Sequence, residues 1–271
     1  EDSWLQQLVD VDPALRGYSP ADAMRRKLAF VGDDTWVDLY PTQFDECHPY
    51  PSFNTRDLDT VDDGCWLYLP SFMQSLGSKS SIASGKNKNN NNAFYELAVV
   101  HTLGIDHVGH TFGPHTEQMN AKYAQTDEQV FRNVMLPIST NNESCQVAII
   151  FGDHGMSDDG NHGGSSEHEV TSGLFALYSP ACGMEHVARS APSSSFLDSY
   201  SNAREINQID LVPTLSLLLG LPIPFANLGT VVTDLIPPAP SLLNKYKNKH
   251  KKEELRSHYT RDMAQALAWN V

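Results

Sequence analysis

Four short apolar runs constrain the fold of this chain more than any other feature of its sequence. They cover residues 28–31, 97–100, 147–151 and 173–178, and a loop of polar or small residues follows each of them. Continuous apolar character is typical of parallel strands that are buried on both faces. Residues 118–134 carry apolar side chains at helical spacing, and residues 209–219 read as a second helix that Gly220 closes. Strands alternating with helices predict an α/β domain with a mostly parallel sheet flanked by helices.

Length and charge narrow the classes of function. A chain of 271 residues, 40% of them hydrophobic, can bury one large core, which fits one α/β domain. Acidic residues number 33 against 19 basic ones, so the formal net charge is −14. Such a surface repels phosphate backbones, which argues against nucleic acid as a partner. Phosphate esters can still be substrates when a bound metal supplies local positive charge.

Three segments interrupt the regular pattern. Residues 77–92 form a Ser/Lys/Asn tract ending in a polyasparagine run, and we predict a disordered low-complexity insert there. Residues 191–202 form a serine-rich loop. We therefore expect one domain over residues 1–235, interrupted by the insert at 77–92. A Pro/Lys-rich tail over residues 236–271 would follow, either touching a membrane surface or simply solvated.

Cysteines, a sequon and hydropathy bear on the compartment. The four cysteines show no CxxC spacing, so they form two disulfides, with three possible pairings, or remain buried thiols. Asn142-Glu143-Ser144 is an N-glycosylation sequon in a polar stretch typical of a loop. No run reaches the roughly 18 apolar residues of a spanning helix, and the acidic start is unlike a signal peptide. Because the chain begins without methionine, we expect it to be cut from something longer.

Two predicted loops carry an unusual set of polar side chains. Asp106 and His110 lie four residues apart, with a glycine between them that would let a loop turn tightly. Asp153 and His154 follow the third apolar run, and His162 comes soon after. Because ligands gather at the carboxyl ends of parallel strands, we expect two carboxylates and three imidazoles to converge there. That mixture suits zinc or a similar divalent ion, although each residue taken alone is better explained as a capped histidine or an Asx turn.

A second group of candidates follows the first apolar run. Asp33, Asp34 and Thr35 would border a substrate pocket if that run ends at the same edge of the sheet. The equally good alternative is that Asp34 or Thr35 caps a following helix. The three aspartates within residues 57–62 form either an outer network around the site or helix caps.

Several short sequence motifs support a resemblance to a known family. Asp-x-x-Gly-His at 106–110 and Gly-Asp-His-Gly-Met at 152–156 resemble the metal-binding loops of the alkaline phosphatase superfamily, notably its phosphodiesterase branch. Longer motifs are similar to those of the glycosylphosphatidylinositol (GPI) ethanolamine phosphate transferases, and most similar to those of the type that modifies the third mannose. These motifs lie at residues 32–36, 51–54, 57–62, 101–110, 113–115, 151–156, 161–164, 209–214, 220–224 and 227–229. The resemblance implies an alkaline-phosphatase-like core, incomplete at its N-terminus.

The resemblance also implies a site with two divalent metal ions, which are zinc in that family. Asp106, His110 and His162 would hold one ion, and Asp153 and His154 would share in the other. The family's remaining Asp ligand and its nucleophilic Thr have no matching motif here, so we expect both upstream and expect the chain alone to be inactive. In the implied reaction that Thr attacks phosphatidylethanolamine, diacylglycerol leaves, and a mannose hydroxyl of the GPI precursor takes the ethanolamine phosphate.

Partners and location follow from the same resemblance. It implies a catalytic domain on the lumenal side of the endoplasmic reticulum membrane, anchored through segments missing from this chain and joined by a small membrane partner subunit. Its substrates would be phosphatidylethanolamine and the GPI-precursor glycolipid. Two other functions stay open: a metal-dependent phosphodiesterase or phosphatase of the same superfamily, and an inactive domain that only binds. The first would share all five metal-binding residues.

Overall fold

A computed structural model of the chain describes residues 3–10, 27–76, 95–182 and 205–236. The chain divides into two compact units, one of Met24–Pro180 and one that combines Glu1–Ala23 with Ala181–Val271. The predicted insert at 77–92, the serine-rich loop at 191–202 and the tail beyond residue 236 lie outside the described residues.

A parallel sheet of three strands forms the centre of the larger unit. Its strands are β1 (Lys27–Asp33), β2 (Glu46–Tyr50) and β3 (Tyr95–His101), in the order β2-β1-β3. Strand β1 is buried from its second residue onward, because both of its edges are paired and apolar side chains cover it. The α/β class with a parallel sheet flanked by helices is therefore confirmed.

The core of this unit forms where β1 meets one long helix. Helix α3 (Thr60–Ser75) places Val61, Cys65 and Phe72 against Ala29 and Val31 of β1 in one buried apolar cluster. A short helix, α2 (Thr35–Leu39), follows β1 directly. Burying each large apolar side chain contributes roughly 1.5–3 kcal/mol, so this cluster anchors the sheet from which the polar loops emerge.

The remaining helices of the unit follow β3 in the chain. They are α4 (Gly104–Phe112), α5 (Glu117–Val130), a π-helical turn (Phe131–Met135), α6 (Leu136–Thr140) and the four-residue α7 (Glu167–Val170). The helix predicted at 118–134 is confirmed as α5 with its π-helical extension. Thr116 caps α5 by accepting the N–H of Met119, which is buried as its spacing predicted.

The third and fourth apolar runs are strands, but the prediction that they join a parallel sheet is wrong. Strands β4 (Val147–Phe151) and β5 (Leu174–Tyr178) form a separate two-stranded antiparallel sheet. Parallel neighbours need a crossover of a dozen or more residues, usually helical, and the segment between these strands contains only the short α7. The strands are also not fully buried, since Phe151 and Phe175 are each 46% exposed.

The smaller unit is described through two segments. Helix α1 (Trp4–Asp10) belongs to the first, and a 3₁₀ turn at Gln208–Asp210 leads into helix α8 (Leu211–Leu218) in the second. The helix predicted at 209–219 is thereby confirmed. Gly220 closes it with a φ of +62°, a left-handed conformation that few residues other than glycine adopt readily.

The cysteines match neither predicted alternative. Cys145 and Cys182 are disulfide-bonded, whereas Cys47 and Cys65 are free thiols. Burial raises the pKa of the Cys65 thiol to about 12, so this cysteine is an inert part of the core. Among the described residues there is no helix with the length and apolar character needed to cross a bilayer.

Candidate metal centre

Helix α4 carries two of the predicted metal-binding residues, where a tight loop was expected. Asp106 and His110 lie in successive turns of this helix, and the i, i+4 spacing brings their side chains to one face. The interpretation of Gly109 as a turn residue is wrong. A Cβ at this buried position would overlap the side chain of Met156, so the glycine lets the loop after β4 pack on the helix.

That packing brings His162 to Asp106 and His110. The Nε2 atoms of His110 and His162 lie 3.1 Å apart, and Oδ1 of Asp106 lies 3.1 Å from His162 Nε2 and 3.4 Å from His110 Nε2. Ligands about 2.0–2.1 Å from a tetrahedral zinc ion are separated by about 3.3 Å. The three atoms thus have the spacing of one face of a zinc coordination sphere.

The hydrogen bonding of this cluster also fits a cation. Oδ1 of Asp106 is shielded from solvent and accepts no hydrogen bond within the described residues. Leaving a buried carboxylate oxygen unpaired costs free energy, and a metal ion removes that cost. Two imidazole nitrogens that face each other beside a carboxylate oxygen are likewise satisfied when all three share one ion.

His154 and Asp153 extend the site from the loop after β4. The rings of His154 and His162 stack with centroids 3.9 Å apart. His154 donates from Nδ1 to the carbonyl oxygen of Gly155 at 2.8 Å, which leaves the Nε2 lone pair available to a metal. Nε2 lies 3.5 Å from Oδ2 of Asp153, whose side chain is 61% exposed. These two residues therefore offer two ligand atoms next to the first three.

A buried ion pair supports the beginning of α4. Asp62 of α3 accepts the backbone N–H groups of Leu103 and Gly104 at 3.0 and 2.9 Å, which satisfies donors at the helix N-terminus. Lys122 of α5 lies 3.6 Å from the same carboxylate and donates to Leu58 O at 2.7 Å. Asp62 thus belongs to a network around the site, which was one of the two alternatives for residues 57–62.

The other alternative applies to Asp57. Its Oδ1 accepts the N–H groups of Asp59 and Thr60 at the start of α3. Hydrogen bonds from the Thr60 side chain and then from its backbone are the main causes that lower the pKa of Asp57. Of these aspartates, Asp57 therefore caps α3, whereas Asp62 supports the start of α4.

The three candidates after β1 are held by hydrogen bonds with one another and with two other segments of the chain. Asp33 accepts the N–H and the hydroxyl of Thr35, and it also contacts Nδ1 of His101 at the end of β3. Asp34 precedes α2 without capping it and instead accepts the hydroxyl of Ser52 at 2.6 Å. Neither the pocket nor the capping interpretation included the contact between Asp33 and His101.

Two further histidines lie outside the cluster. His107 is buried, with its ring nitrogens 2.7 and 3.1 Å from the carbonyl oxygens of Asp57 and Ser52. His115 pairs with Asp158 at 2.9 Å on the exposed surface. Neither of these interactions requires a metal ion.

Residues 45–201 match the type I phosphodiesterase / nucleotide pyrophosphatase family, and the chain belongs to this family. With its α/β fold, the chain is thus a domain of the alkaline phosphatase superfamily, whose members are generally metal-dependent. No solved structure matches the chain.

Curated relatives narrow the resemblance further. The catalytic subunit of GPI ethanolamine phosphate transferase 3 from Homo sapiens is 40% identical over 210 residues, which cover 78% of this chain and 16% of the human protein. GPI ethanolamine phosphate transferase 3 from Eremothecium gossypii is 38% identical, covering 78% of this chain and 19% of that protein. GPI ethanolamine phosphate transferase 2 from Schizosaccharomyces pombe is 31% identical, covering 86% and 27%. The chain thus spans between about a sixth and about a quarter of the length of these relatives.

Proposed function

We propose that this chain is part of an enzyme that transfers ethanolamine phosphate from phosphatidylethanolamine to a mannose of the GPI-anchor precursor, the third mannose in particular. The observation that carries this proposal is the cluster of Asp106, His110 and His162 in a domain of the phosphodiesterase family. The two type 3 relatives, 40% and 38% identical to this chain, support the choice of reaction. The choice of acceptor rests on the resemblance of the sequence motifs to the type that modifies the third mannose.

Zinc is the metal that the donor set favours. Asp106, His110 and His162 would hold one ion, and His154 with Asp153 would share in a second. Imidazole nitrogens and carboxylate oxygens suit zinc, and His154 has the backbone-bonded Nδ1 that orients a ligating imidazole. Bound ions would supply positive charge to the phosphoryl oxygens and lower the pKa of an attacking hydroxyl. We expect that hydroxyl to belong to a Thr that, like a further Asp ligand, has no matching motif among the residues of this chain.

The side chains of this chain position the reacting groups. Helix α4 fixes Asp106 and His110 as one unit, and the loop after β4 brings His162 and His154 against it. In the proposed reaction, phosphodiester chemistry therefore takes place at the seam between α4 and that loop. Preorganisation of this kind is the protein's main contribution to phosphoryl transfer.

Location and partners complete the proposal. We place the domain on the lumenal side of the endoplasmic reticulum membrane, joined by a small membrane subunit, with Asn142 as a glycosylated residue. Asn142 is exposed in the loop between α6 and β4, as its sequon requires. A disulfide fits the oxidising lumen as well.

Substitution of one ligand against a matched histidine tests the proposal. In the full-length protein, His162→Gln should lose bound zinc. Mutation of a residue that only supports a metal ligand can lower activity by about 100-fold, so loss of the ligand itself should lower the transfer rate by at least that factor. His115→Gln removes an exposed histidine outside the cluster and should leave both unchanged. Zinc content is measured by elemental analysis, and transfer is followed with labelled phosphatidylethanolamine and a mannose acceptor. Equal zinc content and transfer in the two variants would contradict the proposal.

Hydrolysis by a metal-dependent phosphodiesterase is the second candidate, because the matched family includes nucleotide pyrophosphatases. The same assay separates the two reactions. Release of free ethanolamine phosphate to water, with no product on the mannose acceptor, would favour hydrolysis.

A further inference from the structure

Asp33 and His101 form a pair at the carboxyl ends of two adjacent strands. Gly32 of β1 lies opposite His101 of β3 in the parallel register. At Gly32 a Cβ would come within 2.5 Å of the carbonyl oxygen of His101, and its φ of +154° also disfavours other residues. The close approach of the strands brings the Asp33 carboxylate to the imidazole.

The contacts of the imidazole fix its orientation. Nδ1 of His101 contacts Oδ2 of Asp33, and Nε1 of Trp36 lies 3.1 Å from the same nitrogen. One nitrogen cannot both donate and accept, and the charge-assisted bond to a buried carboxylate is the stronger, so Nδ1 donates to Asp33. Asp33 in turn is held by the N–H and hydroxyl of Thr35. The pair is thus an oriented carboxylate–imidazole dyad.

The other ring nitrogen of His101 is Nε2. Nε2 of His101 makes no hydrogen bond among the described residues, and the imidazole is 32% exposed whereas the Asp33 side chain is 2% exposed. Nε2 is not among the buried side-chain atoms that lack a partner, so this partly exposed ring leaves Nε2 accessible. It is therefore able to bind a ligand.

The charges near the dyad favour a protonated imidazole that can donate a hydrogen bond. Burial lowers the pKa of His101, but the hydrogen bond and charge of Asp33, followed by the charges of Asp153 and Asp106, outweigh it and raise the pKa above its ordinary value. These two aspartates are candidate metal ligands, so His101 lies within electrostatic range of the metal centre. The aspartates alone would repel an anion, but metal ions held by them would offset that charge, and a donor imidazole beside such a centre suits a phosphoryl oxygen.

We propose that His101, oriented by Asp33, donates a hydrogen bond from Nε2 to a non-bridging phosphoryl oxygen of the phosphodiester substrate. This inference rests on the proposed function and assigns it a substrate-binding residue and a positioning residue. His101 binds the phosphoryl group, while Asp33 holds the tautomer that makes Nε2 the donor.

Two isosteric variants of His101 separate binding from structural support. His101→Asn retains a donor at the place of Nδ1, which can still bond Asp33, but lacks one at Nε2. His101→Gln retains a donor near Nε2 and loses the bond to Asp33. In the full-length, zinc-loaded protein, His101→Asn should raise KM for phosphatidylethanolamine or lower kcat/KM by about 10–100-fold, the effect of one hydrogen bond to a charged group. His101→Gln should retain most of the activity.

Stability and metal content are measured on the same samples. His101→Asn should keep its zinc and its unfolding temperature, so that its defect is confined to kinetics. Asp33→Asn, which can reverse the tautomer of His101, should show a similar kinetic loss. Wild-type kinetics in His101→Asn would overturn the inference, as would equal activity loss in both His101 variants in proportion to lost stability. Absence of transfer by the wild-type protein would instead refute the proposed function.

Discussion

Replacement of Asp62 by alanine is the sharpest test of how the candidate metal centre is held. The Asp62 carboxylate is 1% exposed and accepts two backbone N–H groups at the start of α4, two residues before Asp106. Asp62→Ala leaves both groups without an acceptor and removes a charge 3.6 Å from Lys122. Helix α4 then loses its only side-chain support at this end among the described residues.

The expected magnitude follows from these contacts. Each buried backbone group left unpaired costs about 1–3 kcal/mol, and breaking a buried ion pair costs about 3–5 kcal/mol. Lys122 keeps its bonds to Leu58 and Asp59, which reduces the second effect. We therefore expect Asp62→Ala to lower the free energy of unfolding by about 3 kcal/mol and zinc affinity by about 10–100-fold.

Asp62→Asn is the matched control, because an amide oxygen can accept the same two N–H groups. Burial raises the pKa of Asp62 more than its N–H partners and Lys122 lower it, so the buried charge itself is costly. The asparagine variant should thus lose less than about 1 kcal/mol. Urea unfolding and competitive zinc titration measure both quantities. If the asparagine variant is as unstable as the alanine variant, charge rather than hydrogen-bond acceptance supports α4, and the reasoning is refuted.

Two further predictions concern packing and pH. Gly109→Ala should weaken zinc binding by at least about tenfold, because the new methyl group displaces Met156 and with it the loop that carries His162; unchanged zinc affinity in a titration would contradict this. The bond between Asp33 and His101 should stabilise the fold most between pH 3.8 and 6.5, the ordinary pKa values of the two groups. Burial raises the pKa of Asp33, but its hydrogen bonds outweigh burial and lower it in the fold, whereas the pKa of His101 is raised. The contribution is therefore lost as pH falls below 3.8 through the lowered pKa of Asp33, and as pH rises above 6.5 through the raised pKa of His101. The difference in unfolding free energy between wild type and His101→Gln, measured across pH, should follow this profile, and a flat difference would exclude it.

Local apolar pattern predicted the positions of strands but not their partners. The runs at 28–31 and 97–100 lie within β1 and β3, and the runs at 147–151 and 173–178 lie at β4 and β5. Which strands pair, and in which direction, depends on what lies between them, and the segment after β4 is too poor in helix to form a parallel crossover. Strand β2 was missed because Glu46-Cys-His-Pro-Tyr at the sheet edge is only half-buried and lacks an apolar run.

For the candidate metal site, too, the sequence predicted some features and not others. The i, i+4 spacing of Asp106 and His110 was visible in the sequence, yet a glycine between them suggested a loop where the chain forms α4. Glycine often marks a turn, but here the missing Cβ makes room for another segment, a reason that no local pattern contains.

Asp33 and His101 were each visible as a polar residue that ends an apolar run, and this shared placement was the signal that could have linked them. Their strands are 68 residues apart in this contact, and Asp62 reaches α4 across 41 residues. A related chain could therefore contain all the proposed metal ligands and still lack the distant carboxylates that hold their helix and His101 in position. If Asp62 fixes the start of α4 and Asp33 fixes His101, activity depends on these supporting carboxylates as well as on the ligands. Substitutions at Asp62 should then act mainly through metal affinity, and those at Asp33 through substrate binding, so the two kinds of support are separable in one set of measurements.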